Sequence, residues 1–161
     1  MTNTSTDILL TPACPGDLKA VVALLDTANL PTAGIEPHFD NFVVARDAGR
    51  VVGAIGFEAY GPDALLRSAI VESASRGRGL GRLLLEHILR VVRDRGVRTV
   101  YLLTTTVEAL LAPRGFERCD RAIVPPAIAN TDEFRSVCPA VAVCMRRQLD
   151  APSCCPPGTR S

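Results

Sequence analysis

The sequence predicts an α/β (α+β) domain, a mixed sheet with helices packed against it. Three observations carry that expectation. Short apolar runs suited to strands alternate with longer segments of helical period. Asn41 to Tyr60 reads as an antiparallel hairpin about the turn Asp47-Ala48-Gly49, with glycine where positive φ is needed. A largely apolar run, Ala64 to Val71, passes through the glycine-dense turn Arg76-Gly77-Arg78-Gly79-Leu80-Gly81 into a strongly periodic helix.

In chain order, Ile8 to Leu10 reads as a first strand closed by Thr11-Pro12. Asp17 to Ala28 sets Leu18, Val21, Val22 and Leu25 on one face, the spacing of an amphipathic helix. Leu30-Pro31-Thr32-Ala33-Gly34 ends it and opens a loop to Asp40. The hairpin strands are Asn41 to Arg46 and Arg50 to Tyr60. In the second, Val52, Ala54, Gly56 and Glu58 share a face, so a carboxylate ends a row of small residues.

Gly61-Pro62-Asp63 turns into the Ala64 strand. The helix from Leu80 to about Arg95 places Leu80, Leu84, Ile88 and Val91 on one side. It turns Arg82, Glu86, Arg90 and Asp94 outward, with alternating sign, and Gly96 stops it. Thr99 to Leu103 is the next buried strand. A short helix, Val107 to Ala112, comes next and is closed by Pro113-Arg114-Gly115-Phe116. Glu117 to Val124 is expected as a strand broken by Pro125-Pro126. Thr131 to Phe134 is expected as a short capped helix, and Ala140 to Met145 as the last strand. These elements make one domain over residues 1–149, and the Pro-, Ser- and Gly-rich residues 150–161 are expected to be a disordered tail.

A chain of 161 residues can bury a sizeable core, and a hydrophobic fraction of 47% suits one. A net charge of +1 argues against bulk attraction to nucleic acid or membrane, and 4% aromatic residues without tryptophan leave no base-stacking platform. Met1 to Asp7 is polar, and no apolar stretch reaches spanning length, so a cytoplasmic protein is expected. The six cysteines are expected as reduced thiols. None lies in Cys-x-x-Cys or near histidine at zinc spacing, so no metal site is expected. Cys119 and Cys144 read as small apolar fillers.

The glycine turn has the makings of an anion cradle. Amides in the first turn of a helix lack intrahelical partners, the helix dipole adds positive potential, and glycines let a phosphate approach the backbone. The dinucleotide pattern Gly-x-Gly-x-x-Gly fails, because Arg82 stands where the third glycine belongs. A P-loop fails too, since the chain's one lysine is Lys19. What remains is Arg-x-x-Gly-x-Gly, Arg76 to Gly81, after a strand and before a helix.

That pattern resembles the acetyl-coenzyme A signature of the GNAT superfamily of N-acetyltransferases. The resemblance implies a GNAT-type mixed, largely antiparallel sheet flanked by helices, with acetyl-CoA as co-substrate. It makes Arg76, Gly77, Arg78, Gly79, Leu80, Gly81 and Arg82 cofactor-binding, with the pyrophosphate on the backbone amides around Arg78 to Arg82 and Arg76 and Arg78 as its charged neighbours. It assigns the pantetheine arm to the strand edge at Ile70 and Val71. Leu65-Leu66-Arg67-Ser68, Tyr101 to Thr106 and Gly115-Phe116 are similar to the N-acetyltransferases of arsenic-resistance operons. The later Glu133-Phe134, Cys138-Pro139 and Cys144-Met145 resemble the same group. The Leu-Leu-Thr-Thr segment also resembles the catalytic domain of N-acetylglutamate synthases. Both comparisons imply a small amino-acid-like amine as acceptor, with arsinothricin and phosphinothricin as candidates. Members of the family often dimerise through sheet edges or the final strand, so the resemblance leaves both a monomer and a homodimer open. One departure stands out: Leu111 occupies the position where many members carry a tyrosine that protonates the leaving thiolate.

Acetyl transfer needs a neutral amine, so a base is required. Glu58 is the first candidate, with the alternative of a strand-end carboxylate in solvent or paired with an arginine. Glu72 is the second, with the alternative of a solvated loop-entry residue. Arg67 lies inside an apolar strand and needs a partner. Either an acidic group of the acceptor suits its fork, or it pairs internally with Glu58 or Glu108. Thr104, Thr105 and Thr106 offer hydroxyls at a strand end where such sheets place ligands, or else they cap the next helix. His87 reads as a boundary residue of the helix, and His38 lies in a loop with nothing specific to mark it.

Overall fold

The computed structural model describes residues 8–30, 32, 34–104, 108–131, 134–135 and 142–149. Within them lie strands β1 (Ile8–Pro12), β2 (Val43–Asp47), β3 (Arg50–Tyr60), β4 (Asp63–Val71), β5 (Thr99–Thr104), β6 (Glu117–Arg118) and β7 (Val143–Gln148). The helices are α1 (Leu18–Thr27), α2 (Leu80–Asp94), α3 (Glu108–Leu111) and α4 (Pro126–Ala129). One sheet runs β1-β2-β3-β4-β5-β7-β6. Its neighbours are antiparallel except β4 and β5, which are parallel and are joined by the crossover through α2. This is the mixed, largely antiparallel sheet with flanking helices that the sequence led us to expect.

Alternation along the strands sorts the side chains into two layers. Phe57, Leu66, Val100 and Leu102 pack with Leu80, Leu84, Leu85, Ile88 and Val92 of α2. Burying each such side chain contributes roughly 1.5–3 kcal/mol. Two further apolar clusters form apart from this one. Val44, Ala54 and Ile70 meet Val21 and Leu25 of α1 with Phe39 and Phe42. Leu65, Tyr101 and Cys144 meet Val124, Ile128 and Phe134. Period two sets Ala54 and Leu65 on the same face, opposite Phe57 and Leu66, so the two lesser clusters share the face that α2 does not cover.

Two irregularities in the centre of the sheet shape the region between Leu65 and Ser68. Ala54 pairs with Ile70 and Gly56 with Arg67, so Ile55 stands opposite both Ser68 and Ala69. This bulge holds Ser68 at φ 60°, a conformation a side chain rarely adopts. Gly56 is required beside it, because a Cβ there would collide with the Phe42 ring. The parallel pairing of β4 with β5 covers Asp63, Ala64 and Leu65 against Thr99, Val100 and Tyr101, and stops. Beyond Leu65 the two strands part.

Several expectations move in the second half of the chain. The strand expected from Glu117 to Val124 is confined to Glu117–Arg118, and Arg121–Ile123 is a 3-10 turn capped by Asp120, which accepts from the Ala122 amide at 2.9 Å. Pro125-Pro126 does more than break a strand: proline at the first helical position opens α4. The last strand runs on through Arg146, Arg147 and Gln148, with Arg146 pairing Glu117 at 3.3 Å. Of the helix expected at Thr131, the Thr131 hydroxyl accepts from the Phe134 amide at 3.2 Å, and Asp132 and Glu133 lie outside the described residues, as does the tail. Among the described residues no helix is long and apolar enough to cross a membrane.

Candidate functional site

Past Val71, where β4 ends after having parted from β5 beyond Leu65, the chain turns toward the start of α2. The Glu72 amide donates to the Val52 carbonyl at 2.7 Å, and Ser73–Ser75 forms one 3-10 turn. Arg76 then reaches back, its Nε donating to the Val71 carbonyl at 3.1 Å. Gly77 (φ 86°) and Gly79 (φ 77°) adopt the left-handed conformation that carries the chain into the helix. Gly79 is the N-cap and has no side-chain hydrogen bond to offer. The Leu83 amide donates to the Gly79 carbonyl at 3.1 Å, which leaves the amides of Leu80, Gly81 and Arg82 without intrahelical acceptors. A Cβ on Gly81 would find its nearest neighbour 3.8 Å away, so the backbone is open to approach. Arg78 is braced against β2 by Asp47 at 3.0 Å. Amides without intrahelical acceptors at a helix dipole's positive end, with Arg76, Arg78 and Arg82 alongside, fit a diphosphate. Ile70 is buried and Val71 half-buried on the strand leading into this turn.

A second group forms further back along the ladder. Glu58, 3% exposed, stands opposite Leu65 on the face away from α2. Its Oε2 accepts from Arg67 Nη1 at 2.7 Å, and its Oε1 accepts from the Tyr60 hydroxyl. Arg67, with no exposed side-chain surface, also donates from Nε to Ser68 Oγ at 3.1 Å. His38, from the 3-10 turn Glu36–Asn41, brings Nε2 to 3.7 Å from Glu58 Oε1 and is 29% exposed. Desolvating a carboxylate and a guanidinium is tolerable here because both are hydrogen-bonded on more than one side. Alternation explains the grouping: Glu58 and Tyr60 share a face of β3, and Arg67 shares it from β4.

The other candidates lie elsewhere. Glu72 is held by Arg50 at 2.7 and 2.9 Å. Its ladder neighbour Val52 is six residues from Glu58, about 20 Å at roughly 3.3 Å per residue, so the two carboxylates do not share a centre. Thr104 is buried at the end of β5 opposite Val143, and its parity with Leu102 turns it toward α2 and away from Arg67. Thr105 and Thr106 lie outside the described residues. Glu108 binds Arg118, with Nη2 to Oε1 at 2.9 Å, so it is not the partner of Arg67. Leu111 is buried in the α2 core and brings no hydroxyl. His87 sits half-buried on α2, and burial with the charge of Arg90 holds its pKa below the ordinary histidine value.

Two members of the buried group carry no role in the sequence reading. Tyr60 is legible in hindsight, because it lies two residues from Glu58 on the same face. His38 has no such signal, since its place depends on how the loop after α1 folds back.

Residues 18–119 match the sequence model of the acetyltransferase (GNAT) family. A curated relative, an uncharacterized N-acetyltransferase of Chlorobaculum tepidum, is 30% identical over 92 residues, 56% of this chain and 59% of that protein. N-acetylglutamate synthase of Neisseria gonorrhoeae, solved with coenzyme A and N-acetyl-glutamate, superposes with a TM-score of 0.76 at 20% identity, over 89% of this chain and 35% of that one. A Mycobacterium tuberculosis protein solved in complex with CoA superposes at 0.75 with 22% identity, over 88% of this chain and 99% of that one. The chain thus spans little more than half of the curated relative and about a third of the synthase. By the family match over residues 18–119, the chain belongs to the acetyltransferase (GNAT) family.

Proposed function

We propose that the protein transfers an acetyl group from acetyl-CoA to the amine of a small, amino-acid-like acceptor. The observation that carries this reading is the glycine-capped entrance of α2, reached along a β4 that has parted from β5 after Leu65. A pantetheine arm would lie along Ile70 and Val71 and a diphosphate on the amides of Leu80, Gly81 and Arg82, with Arg76 and Arg78 as its charged neighbours. Acetyl-CoA would supply the activated acyl group. The chain's own part is to orient the acceptor and take its proton.

Glu58 is the proton acceptor in this reading, through water, because the ammonium of an amino acid must lose a proton before its nitrogen can attack. Tyr60 and Arg67 fix the carboxylate, and His38 stands at the exposed side of the group. An acidic group of the acceptor would suit an arginine fork, but Arg67 is fully buried and engaged with Glu58 and Ser68, so its part is to hold the base. A glutamate-like acceptor, or an amino-acid toxin such as phosphinothricin or arsinothricin, carries both an amine and such an acid. The synthase neighbour, solved with N-acetyl-glutamate, and the sequence resemblance support this class.

A second reading, an acyl-CoA-binding regulatory module without turnover, is favoured by Leu111, which leaves the usual protonating hydroxyl absent. Dispensing with that hydroxyl is chemically reasonable, since a thiol of pKa about 8.5 can leave as a thiolate. The test is release of free CoA thiol from acetyl-CoA against amino acids, phosphinothricin, arsenic-bearing analogues and N-terminal peptides. Release that depends on a small acidic amine is expected. Binding of acetyl-CoA without release to any acceptor favours the module, and release with peptides alone makes the protein the acceptor.

A further inference from the structure

Cys119 and Cys144 stand in register across the antiparallel β6–β7 pair, directly after the partners Glu117–Arg146 and Arg118–Met145. The Cys119 amide donates to the Cys144 carbonyl at 2.9 Å, and the two sulfurs lie 3.2 Å apart as free thiols. Directly opposed residues on an antiparallel pair have Cα atoms about 4.5–5.5 Å apart, inside the 4.4–6.8 Å range that a disulfide spans. The thiols differ in access. Cys144 is 4% exposed, in the cluster with Leu65 and Tyr101, whereas Cys119 is half-buried at its margin.

We propose that this pair is an oxidative modification site, at which a peroxide converts the two thiols to an intrachain disulfide. It is independent of the acetyl-transfer reading. The thiolate of Cys119 attacks one peroxide oxygen; the S–O bond forms, the O–O bond breaks, and the departing hydroxide leaves as water. The Cys144 sulfur then attacks Cys119 Sγ; the S–S bond forms, the S–O bond breaks, and a second water leaves with the Cys144 proton. Two electrons pass from the sulfurs to hydrogen peroxide, and two thiols become one disulfide. Burial and the neighbouring Cys119 push the Cys144 thiol up to about 12, which assigns the first attack to Cys119 and the resolving step to Cys144.

Trypsin would release residues 119–121 and 136–146, and the latter peptide also holds Cys138. The test therefore treats the full-length Cys138→Ser chain with hydrogen peroxide, alkylates the remaining thiols and digests without reduction. The expected product is the two peptides joined, lighter than their sum by two hydrogen atoms and separated by dithiothreitol. In the otherwise wild-type chain, Cys119→Ser should leave Cys144 fully open to alkylation after unfolding, whatever peroxide was added. The proposal is overturned if both cysteines are recovered alkylated, if Cys119 advances to sulfinic acid without a link, or if Cys144 is oxidised equally in the Cys119→Ser chain.

Discussion

Glu58 and Arg67 are buried together, so each is expensive to leave alone. Arg67→Ala leaves the buried Glu58 carboxylate without its guanidinium and should cost about 3–5 kcal/mol of stability in urea unfolding. Adding Glu58→Gln to that variant should restore part of the loss, because the stranded charge is gone. A variant as stable as wild type would mean the pair is solvated in solution. Glu58→Gln alone should lower kcat by about 10²–10⁴ while leaving acetyl-CoA affinity within a factor of about two. Tyr60→Phe removes one donor to the same carboxylate and should lower kcat less. Full activity in Glu58→Gln would remove its base role. Alternation marked Glu58 as a candidate and a charge inside an apolar strand marked Arg67, but the sequence left Glu58, Glu108 and an acceptor's acid all open as the partner of Arg67. His38 was not readable as a member, because a loop residue's position comes from tertiary packing and not from local period.

The elements most legible in the chain are those whose local pattern and burial agree. The apolar stripe of α2 and the Asp47-Ala48-Gly49 turn fall where the sequence puts them. From Glu117 onward the runs are short and interrupted by prolines, so period cannot separate strand from turn, and β6, α4 and β7 differ from expectation. Near the start, packing again adds what pattern could not. Arg46 on β2 holds Asp17 at the head of α1 through a fork, Nη1 to Oδ1 at 3.1 Å and Nη2 to Oδ2 at 2.6 Å. The hydrogen bond to Arg46 holds the Asp17 carboxyl below its ordinary value. A folded pKa below the unfolded value of about 3.9 means the stabilisation is complete above that value and is lost as pH falls through the folded one. Asp17→Asn should therefore be less stable than wild type at pH 7, with the difference closing below about pH 4. Urea unfolding of both chains across pH 3–7 measures it; a difference independent of pH would exclude the ion pair as its source.

At the scale of the whole molecule, the sheet has one face sealed by α2 and another on which two apolar clusters leave room for the Glu58 group between them. The crossover that makes β4 and β5 parallel also delivers the first-turn amides of α2 beyond the Val71 end of β4, past the stretch where the two strands have stopped pairing. The proposed cofactor site thus arises from topology, whereas the acceptor's identity depends on loops whose side chains carry no periodic signal. Phosphate contacts at an exposed helix entrance should make CoA binding weaken as salt rises, since the Debye length falls from about 10 Å at 0.1 M to about 3 Å at 1 M. Affinity unchanged over that range would argue against charge as a major part of recognition.

The most direct measurement is a calorimetric titration of the folded protein with acetyl-CoA, repeated on Gly79→Ala. That substitution forces a side chain into the left-handed conformation at the mouth of α2, at a cost of about 1–2 kcal/mol. We expect saturable binding with one acetyl-CoA per chain, weakened at least several-fold by the substitution while the fold is retained. No heat of binding to well-folded protein, or equal affinity in both chains, would contradict a diphosphate held by the amides of this turn.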